Sequence, residues 1–389
     1  MRRNASTNAT RTALLTTTAL LLTCAAVAAA SPANAAAAPT PAALNSVSCA
    51  DGTHCVSVGT RVIGAYNKTL AKQWNGTGWS VAVTANPPGK TNAELSGVTC
   101  GSDTSCIAVG NYSTKQWSRT LIEQWNGSSW TIVASPNPPG QTLATLASVT
   151  CASSTSCIAV GNYSTKQWSR TLIEQWNGTS WTIVAGPNPP GQTYAALDGI
   201  ACPGSTSCIA VGNYSTKQWS RTLVERWNGT SWAIVASPNP PGHSFAIIGS
   251  ISCPSTMSCF AVGFFMTGAS TKTLVEQWGG NGWSIVASPN PAPGLLEFAG
   301  LGAVACAGTG DCYAVGFAVT GVGSRALIER WNGTSWAIET TPSQSGGVDF
   351  PALLGVACAT GTNCHAVGFS LNKTLIDRWD GTKWSIDTT

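Results

Sequence analysis

The segment SRTLIEQWNGTSW, Ser169–Trp181, occurs almost verbatim three times in this chain and in looser form seven times. It is rich in β-branched and aromatic residues, and Asn177-Gly178 interrupts it between Trp176 and Trp181. Asn-Gly supplies the positive φ that a tight turn needs, so WNGTSW reads as a hairpin. The rest of the copy adds two strands before it. The four expected strands are Leu146–Cys151, Cys157–Tyr163, Arg170–Trp176 and Ser180–Ala185, each bounded by Gly, Ser, Asn or Pro clusters. SPNPPG or a variant follows the fourth strand in most copies, and its prolines forbid further ladder pairing. Helical periodicity is absent.

The unit recurs along the chain. Its first cysteine falls at 49, 100, 151, 202, 253, 306 and 358, a period of 51 to 53 residues. Each copy runs L-x-x-V-x-C-x5-C-x-A-V-G, a variable loop, then [KR]-T-L-[IV]-E-x-W-N-G-x-x-W-x-I-V and a Pro-rich link. Four antiparallel strands repeated seven times predict an all-β chain, a seven-bladed β-propeller with about one intrablade disulfide per repeat. One such sheet cannot bury both faces, so the copies must stack. A solenoid of the same repeats is the alternative. The copies start and end in phase, so ring closure is expected to rest on packing between blades one and seven, without a shared strand.

The expected domains are a signal peptide over 1–35, a short linker over 36–43 and the propeller over 44–389. Its blades fall near 44–94, 95–145, 146–196, 197–247, 248–300, 301–352 and 353–389. Arg2, Arg3 and Arg11 precede an Ala/Leu/Thr stretch, and Ala33-x-Ala35 offers a cleavage site, so secretion is expected, with a mature chain from about Ala36. A lipoprotein anchored at Cys24 ranks below export, because Thr23 fits a lipobox poorly. No later segment is long and apolar enough to span a bilayer.

Of the 15 cysteines, Cys24 leaves with the signal, and the others form seven pairs with five residues between partners. The pairs are Cys49–Cys55, Cys100–Cys106, Cys151–Cys157, Cys202–Cys208, Cys253–Cys259, Cys306–Cys312 and Cys358–Cys364. An even count in an exported chain reads as disulfides. Zinc sites prefer shorter spacings with added histidines, and His54, His243 and His365 share no register. No metal and no cofactor is expected. The formal charge of +4 falls to +1 when Arg2, Arg3 and Arg11 are cleaved, which disfavours nucleic acid and other polyanions.

LIERWNGTSW, Leu327–Trp336, resembles the repeat of bacterial and fungal fucose-binding β-propeller lectins, whose blades carry Ile-x-Glu followed by Trp-Asp-Gly-x-x-Trp. The tryptophan spacing is shared at Trp125/Trp130, Trp176/Trp181, Trp227/Trp232 and Trp331/Trp336. The resemblance implies a propeller and a sugar-binding activity. The chain departs from it at Ala108, Ala159 and Ala210, which stand where those lectins have a sugar-holding arginine. Its acid also lies two residues before the tryptophan, where the lectin repeat has three, which turns it to the other face.

A sugar clamp within the opening segment fails on distance. Arg170 and Trp176 share a face but lie about 20 Å apart along a strand. The tryptophans, and the acids Glu123, Glu174, Glu225, Glu276, Glu329 and Asp377, are better read as mortar between blades, the acids bonded to backbone amides of a neighbour.

The candidate ligand site is the loop GNYSTKQWSR, found in copies two, three and four only. It carries Tyr112, Lys115, Trp117 and Arg119, then Tyr163, Lys166, Trp168 and Arg170, then Tyr214, Lys217, Trp219 and Arg221. An indole covers the apolar face of a sugar while Lys, Gln and Asn bond its hydroxyls. The expected partner is a glycan or cell-surface polymer, and the alternative is an extracellular protein. No nucleophile–base pair recurs, so an enzyme is not expected, although single-copy acids such as Asp198, Asp311 and Asp349 could meet in the central channel.

Overall fold

Each repeat folds as an antiparallel meander of four strands. In the third they are Leu143–Ser153, Ser156–Ser164, Ser169–Trp176 and Trp181–Val184. The computed structural model describes residues 41–89, 91–114, 116–291, 298–321, 323–342 and 350–387; the expected signal, residues 36–40 of the expected linker, Cys24, Lys115 and Asp349 lie outside them, and Ala42 and Ala43, expected in the linker, instead open the first strand, Ala42–Cys49. Within the described residues there are 28 strands and no helix.

The first three strands are longer than the sequence suggests, and the fourth is one residue shorter at each end. Pairing runs to Ser164↔Ser169, so the expected loop shrinks to a four-residue turn, Thr165–Trp168, closed where Thr165 N donates to Trp168 O at 2.8 Å. The Asn-Gly turn also spans four residues, from Asn177 to Ser180, and only Gly178 takes a positive φ, of 94°. The asparagine closes this turn with its side chain: Asn177 Oδ1 accepts from Thr179 N and Ser180 N, both at 2.9 Å. Such Asx geometry explains the asparagine locally.

Every first strand carries a one-residue bulge, between Leu146 and Ser148 in the third repeat and at the matching place in the others. Opposite it sits the glycine of the A-V-G motif. A Cβ on Gly161 would lie 2.0 Å from Thr145 O, so no side chain fits there. The bulged residues turn toward one central channel of about 130 Å³, lined by first strands of all seven repeats, from Asn45 and Ser96 through Asp198 to Leu354. First strands are therefore innermost and fourth strands outermost. The described residues form a β-propeller of seven four-stranded blades. Five sheets hold four strands each, and blades five and six share an eight-stranded sheet through the single parallel pair Thr271↔Phe298.

Blades one and seven meet without exchanging a strand. Leu44, Val47, Leu70 and Trp74 pack with Val367 and Ile376 in one core cluster. Ala42 N donates to Asn372 O at 3.0 Å across the same seam. The links between blades are held by their asparagines, as Thr171 N donates to Asn188 Oδ1 at 3.2 Å in place of a ladder partner.

All seven expected disulfides are present, each joining a first strand to a second across a short turn. Seven crosslinks fit an oxidising, extracellular environment. No helix of the described residues is long and apolar enough to cross a membrane. Replacing Cys151 and Cys157 together by serine is expected to cost about 2 kcal/mol, the loop-closure value for so short a ring. Denaturant unfolding of that variant beside the parent checks it, and an unchanged midpoint would refute the crosslink's contribution.

Candidate functional site

The opening segment serves the blade interfaces. Glu123, Glu174, Glu225, Glu276 and Glu329 are each completely buried on the third strand. Ser135 Oγ, on the link leaving blade two, donates to Glu174 Oε2 of blade three at 2.9 Å and lies 2.7 Å from Thr120 Oγ1. Ser237 reaches Glu276 at 2.7 Å and Ser288 reaches Glu329 at 2.8 Å. The expected backbone partner occurs once, where Ala85 N donates to Glu123 Oε2 at 3.0 Å. A hydroxyl does the work in those three other blades because the prolines after it leave few amides free. Blade one has Lys72 in place of the acid, and its ammonium donates to Thr374 Oγ1 of blade seven at 3.0 Å.

The tryptophan pairs complete this contact. All seven lie with ring centroids 5.7–5.9 Å apart. Each rests on a second-strand side chain of the preceding blade. Phe260 lies 5.0 Å from Trp331 and 5.3 Å from Trp336, and His365 of blade seven lies 5.0 Å from Trp74 and 5.3 Å from Trp79 of blade one. His365 is fully buried, and desolvation holds its imidazole down at about 4, so it is neutral and serves the seam.

The disulfide and Asn-Gly turns share one end of the ring, where Trp176 Nε1 donates to Ser154 O at 3.3 Å. The hairpins between second and third strands share the other, the loop face. There Trp117, Trp168 and Trp219 are 43%, 43% and 44% exposed. Arg119, Arg170 and Arg221 pair across the ladder with Tyr112, Tyr163 and Tyr214. The structure divides these residues. The tyrosines are half-buried against the core of the preceding blade, while the tryptophans, the arginines, Lys166 and Lys217 are exposed. The Arg221 guanidinium lies 5.9 Å from the Trp219 ring.

Sequence reasoning passed over four further residues on this face. Lys68, Lys272, Arg325 and Lys373 stand where blades two to four have Arg119, Arg170 and Arg221, each within two residues of its hairpin. The [KR] before T-L in the repeat was their signal. Every blade thus places at least one cation at this rim. Lys68 Nζ donates to Thr91 O at 3.1 Å, and among the described residues neither ion pair involves the ring.

The carboxylates Asp51, Asp103, Asp311 and Asp380 lie at the opposite end, on the disulfide and Asn-Gly-type turns. Near the loop face the described residues offer only Glu94, whose partial burial raises its carboxyl above the ordinary range. The small net charge that disfavoured a polyanion is the sum of two unlike ends.

The channel does not bring together Asp198 and Asp311, the two of the three single-copy acids that lie among the described residues. Asp198 lines it, with desolvation raising the carboxyl to about 7, while Asp311 accepts from Arg330 Nε at 3.0 Å on a disulfide turn. Among the described residues no group of three or more His, Cys, Asp or Glu is placed to hold a metal ion.

No family model matches the chain, and no curated protein matches it in sequence. Solved structures do match. The chain is similar to YCF48 bound to a D1 peptide, with a TM-score of 0.53 at 11% identity over 88% of this chain and 94% of that one. It is similar to Sqt1 of Chaetomium thermophilum, with a TM-score of 0.51 at 11% identity over 89% of this chain and 84% of that one. A third is a polysaccharide lyase, the PL25 ulvan lyase bound to -[GlcA(1-4)Rha3S]-, with a TM-score of 0.51 at 7% identity over 90% and 96%. At these identities the likeness is one of fold, and of the expected lectin likeness it supports the propeller. It also corrects an expectation. The sequence predicts no enzyme, yet a polysaccharide lyase shares this fold, so the lack of a recurring nucleophile–base pair does not exclude catalysis.

Two predictions follow from the interface acids. Desolvation raises their carboxyls from an ordinary 4.5 to about 8 in Glu174, Glu225, Glu276 and Glu329, and to about 7 in Glu123. The folded state therefore holds protons that the unfolded chain has released above pH 4.5. Stability from these groups is complete below that pH and is lost as pH rises through 8. Tm should fall between about pH 6.5, where unperturbed histidine is half neutral, and pH 9. Glutamine at all five positions should flatten the fall, and an unchanged slope would contradict the assignment. Blade three lacks the link serine. Gly186 replaces it, and Glu225 has no well-formed hydrogen bond. A Cβ there would lie 3.0 Å from the flexible Ile173 Cδ1 and 3.4 Å from Glu225 Oε2. Gly186→Ser is expected to stabilise by about 1 kcal/mol, the net value of one hydrogen bond. Chemical denaturation reads this directly, and a loss of stability would mean the slot is too tight.

Proposed function

We propose that the chain is an exported, multivalent binding protein that recognises a glycan on a cell surface or wall polymer through the loop face of blades two to four. In this reading residues 1–35 are a cleaved signal, 36–41 a linker, and the seven copies, whose first strand starts at Ala42, the binding ring. The observation that carries it is the repetition of an exposed indole, Trp117, Trp168 and Trp219, at one place on three successive blades. Each sits beside an arginine that pairs with a half-buried tyrosine, so its backbone is fixed by a ladder. A rigid apolar plate beside hydrogen-bond donors suits a pyranose ring, whose one face is C–H and whose rim is hydroxyl. Three equal sites on one rigid scaffold multiply weak contacts into avidity.

The matched folds support either class of ligand, since YCF48 is described with a peptide and the ulvan lyase with a polysaccharide. The alternative reading is an extracellular protein-interaction scaffold. The Trp219–Arg221 pair favours it, because tryptophan and arginine dominate protein hot spots.

A glycan array probed with the secreted protein and with a Trp117/Trp168/Trp219→Ala variant separates the two. The lectin-like reading expects array binding, inhibited by free sugar, that drops at least tenfold in the triple variant and less in each single one. Binding by neither protein would leave the protein scaffold as the better account. Binding kept by the triple variant would move the site off this face.

A further inference from the structure

Among the described residues none of the rim cations is ion-paired, and from this we infer that the ligand is an acidic polysaccharide. The inference rests on the glycan reading above and narrows its substrate class. The cations at the start of each third strand would meet the polymer's uronate or sulfate groups, while the indoles of blades two to four would cover its sugar rings.

Three observations carry it. The cation recurs in all seven blades, including one, five, six and seven, where the tryptophan is missing and the turn sequence differs. It is therefore independent of the tryptophan-bearing turn. Next, both ion pairs among the described residues, His54–Asp51 and Arg330–Asp311, lie at the opposite end. Like charges gathered on one face repel, and the arrangement raises the local concentration of an anion. Last, Arg119, Arg170 and Arg221 follow their tryptophans by two residues in each blade, which joins charge and stacking plate on one edge. Guanidinium presents a planar fork suited to a carboxylate or sulfate.

Indoles with cations also suit single-stranded nucleic acid. The seven disulfides fit an oxidising environment, which favours an extracellular polysaccharide as the polyanion encountered.

The test uses the full oxidised protein against immobilised polygalacturonate, with dextran, polyglutamate and single-stranded DNA as competitors. Two variants accompany it, Arg119/Arg170/Arg221→Gln, and Lys272/Lys373→Gln on blades without the tryptophan, each checked for an unchanged Tm. The expected result is binding to polygalacturonate that weakens at least tenfold between 50 and 300 mM salt and at least tenfold in the arginine variant. The lysine variant should weaken it by a smaller but resolved factor. Dextran, polyglutamate and DNA should compete poorly. Salt-insensitive binding to dextran, untouched by the charge variants yet lost with the tryptophans, would overturn the acidic ligand and keep the glycan reading. Binding to no polysaccharide would overturn both. Equal competition by polyglutamate would show that charge alone is read, and tighter binding of DNA would make the face a nucleic-acid site; either overturns the inference.

Discussion

A four-stranded blade has two apolar faces and no means of burying either by itself. Everything else in this propeller depends on how one blade closes on the next. The contact has two parts. A tryptophan pair straddling the outer hairpin rests on a side chain of the preceding blade, and in five blades a buried glutamate faces the link leaving that blade. The first part supplies apolar area, and the second fixes where the link crosses. Burying a carboxyl is costly unless it is neutral or well bonded, and here desolvation moves it toward the neutral form while, in four of the five, a hydroxyl or amide bonds the carboxylate.

The seam between blades one and seven uses the same geometry with other chemistry. His365 takes the slot that Ile158 fills in blade three and Phe260 in blade five, and Lys72 takes the place of the acid. Both are ionisable residues turned to structural use. The seam can differ because the interface asks for a filled volume and a satisfied polar atom rather than one residue type.

The ring also separates its two ends. Disulfides, Asx turns and exposed aspartates gather at one, where local crosslinks and short turns leave little variation. The hairpins of the other end carry the cations and the exposed indoles. The channel between them is narrow, since bulged first strands approach so closely that a Cβ on Gly97 would meet Ala147 O at 2.8 Å. Binding chemistry is therefore concentrated on the rim, where blade-to-blade repetition becomes ligand multiplicity.

Much of this was legible in the sequence, for local reasons. Strand type, the Asn-Gly turn, the cysteine pairs and the seven-fold repeat depend on neighbours within a few residues or on spacing along the chain. The extent of the second and third strands was not legible, because nothing in YSTKQWSR marks its serines as paired until the hairpin forms. The partner of Glu174 could not be read either, since Ser135 lies in another blade. The cation ring is not legible for the same reason: Lys68 and Lys373 are far apart in sequence, and a small net charge hides their alignment. By itself the sequence determined the strands, the crosslinks and the number of blades, because hydrogen bonding and turn geometry act locally. The tertiary structure alone decided which side chains share an interface or an end of the ring, because only closure brings residues of different blades within reach of one another.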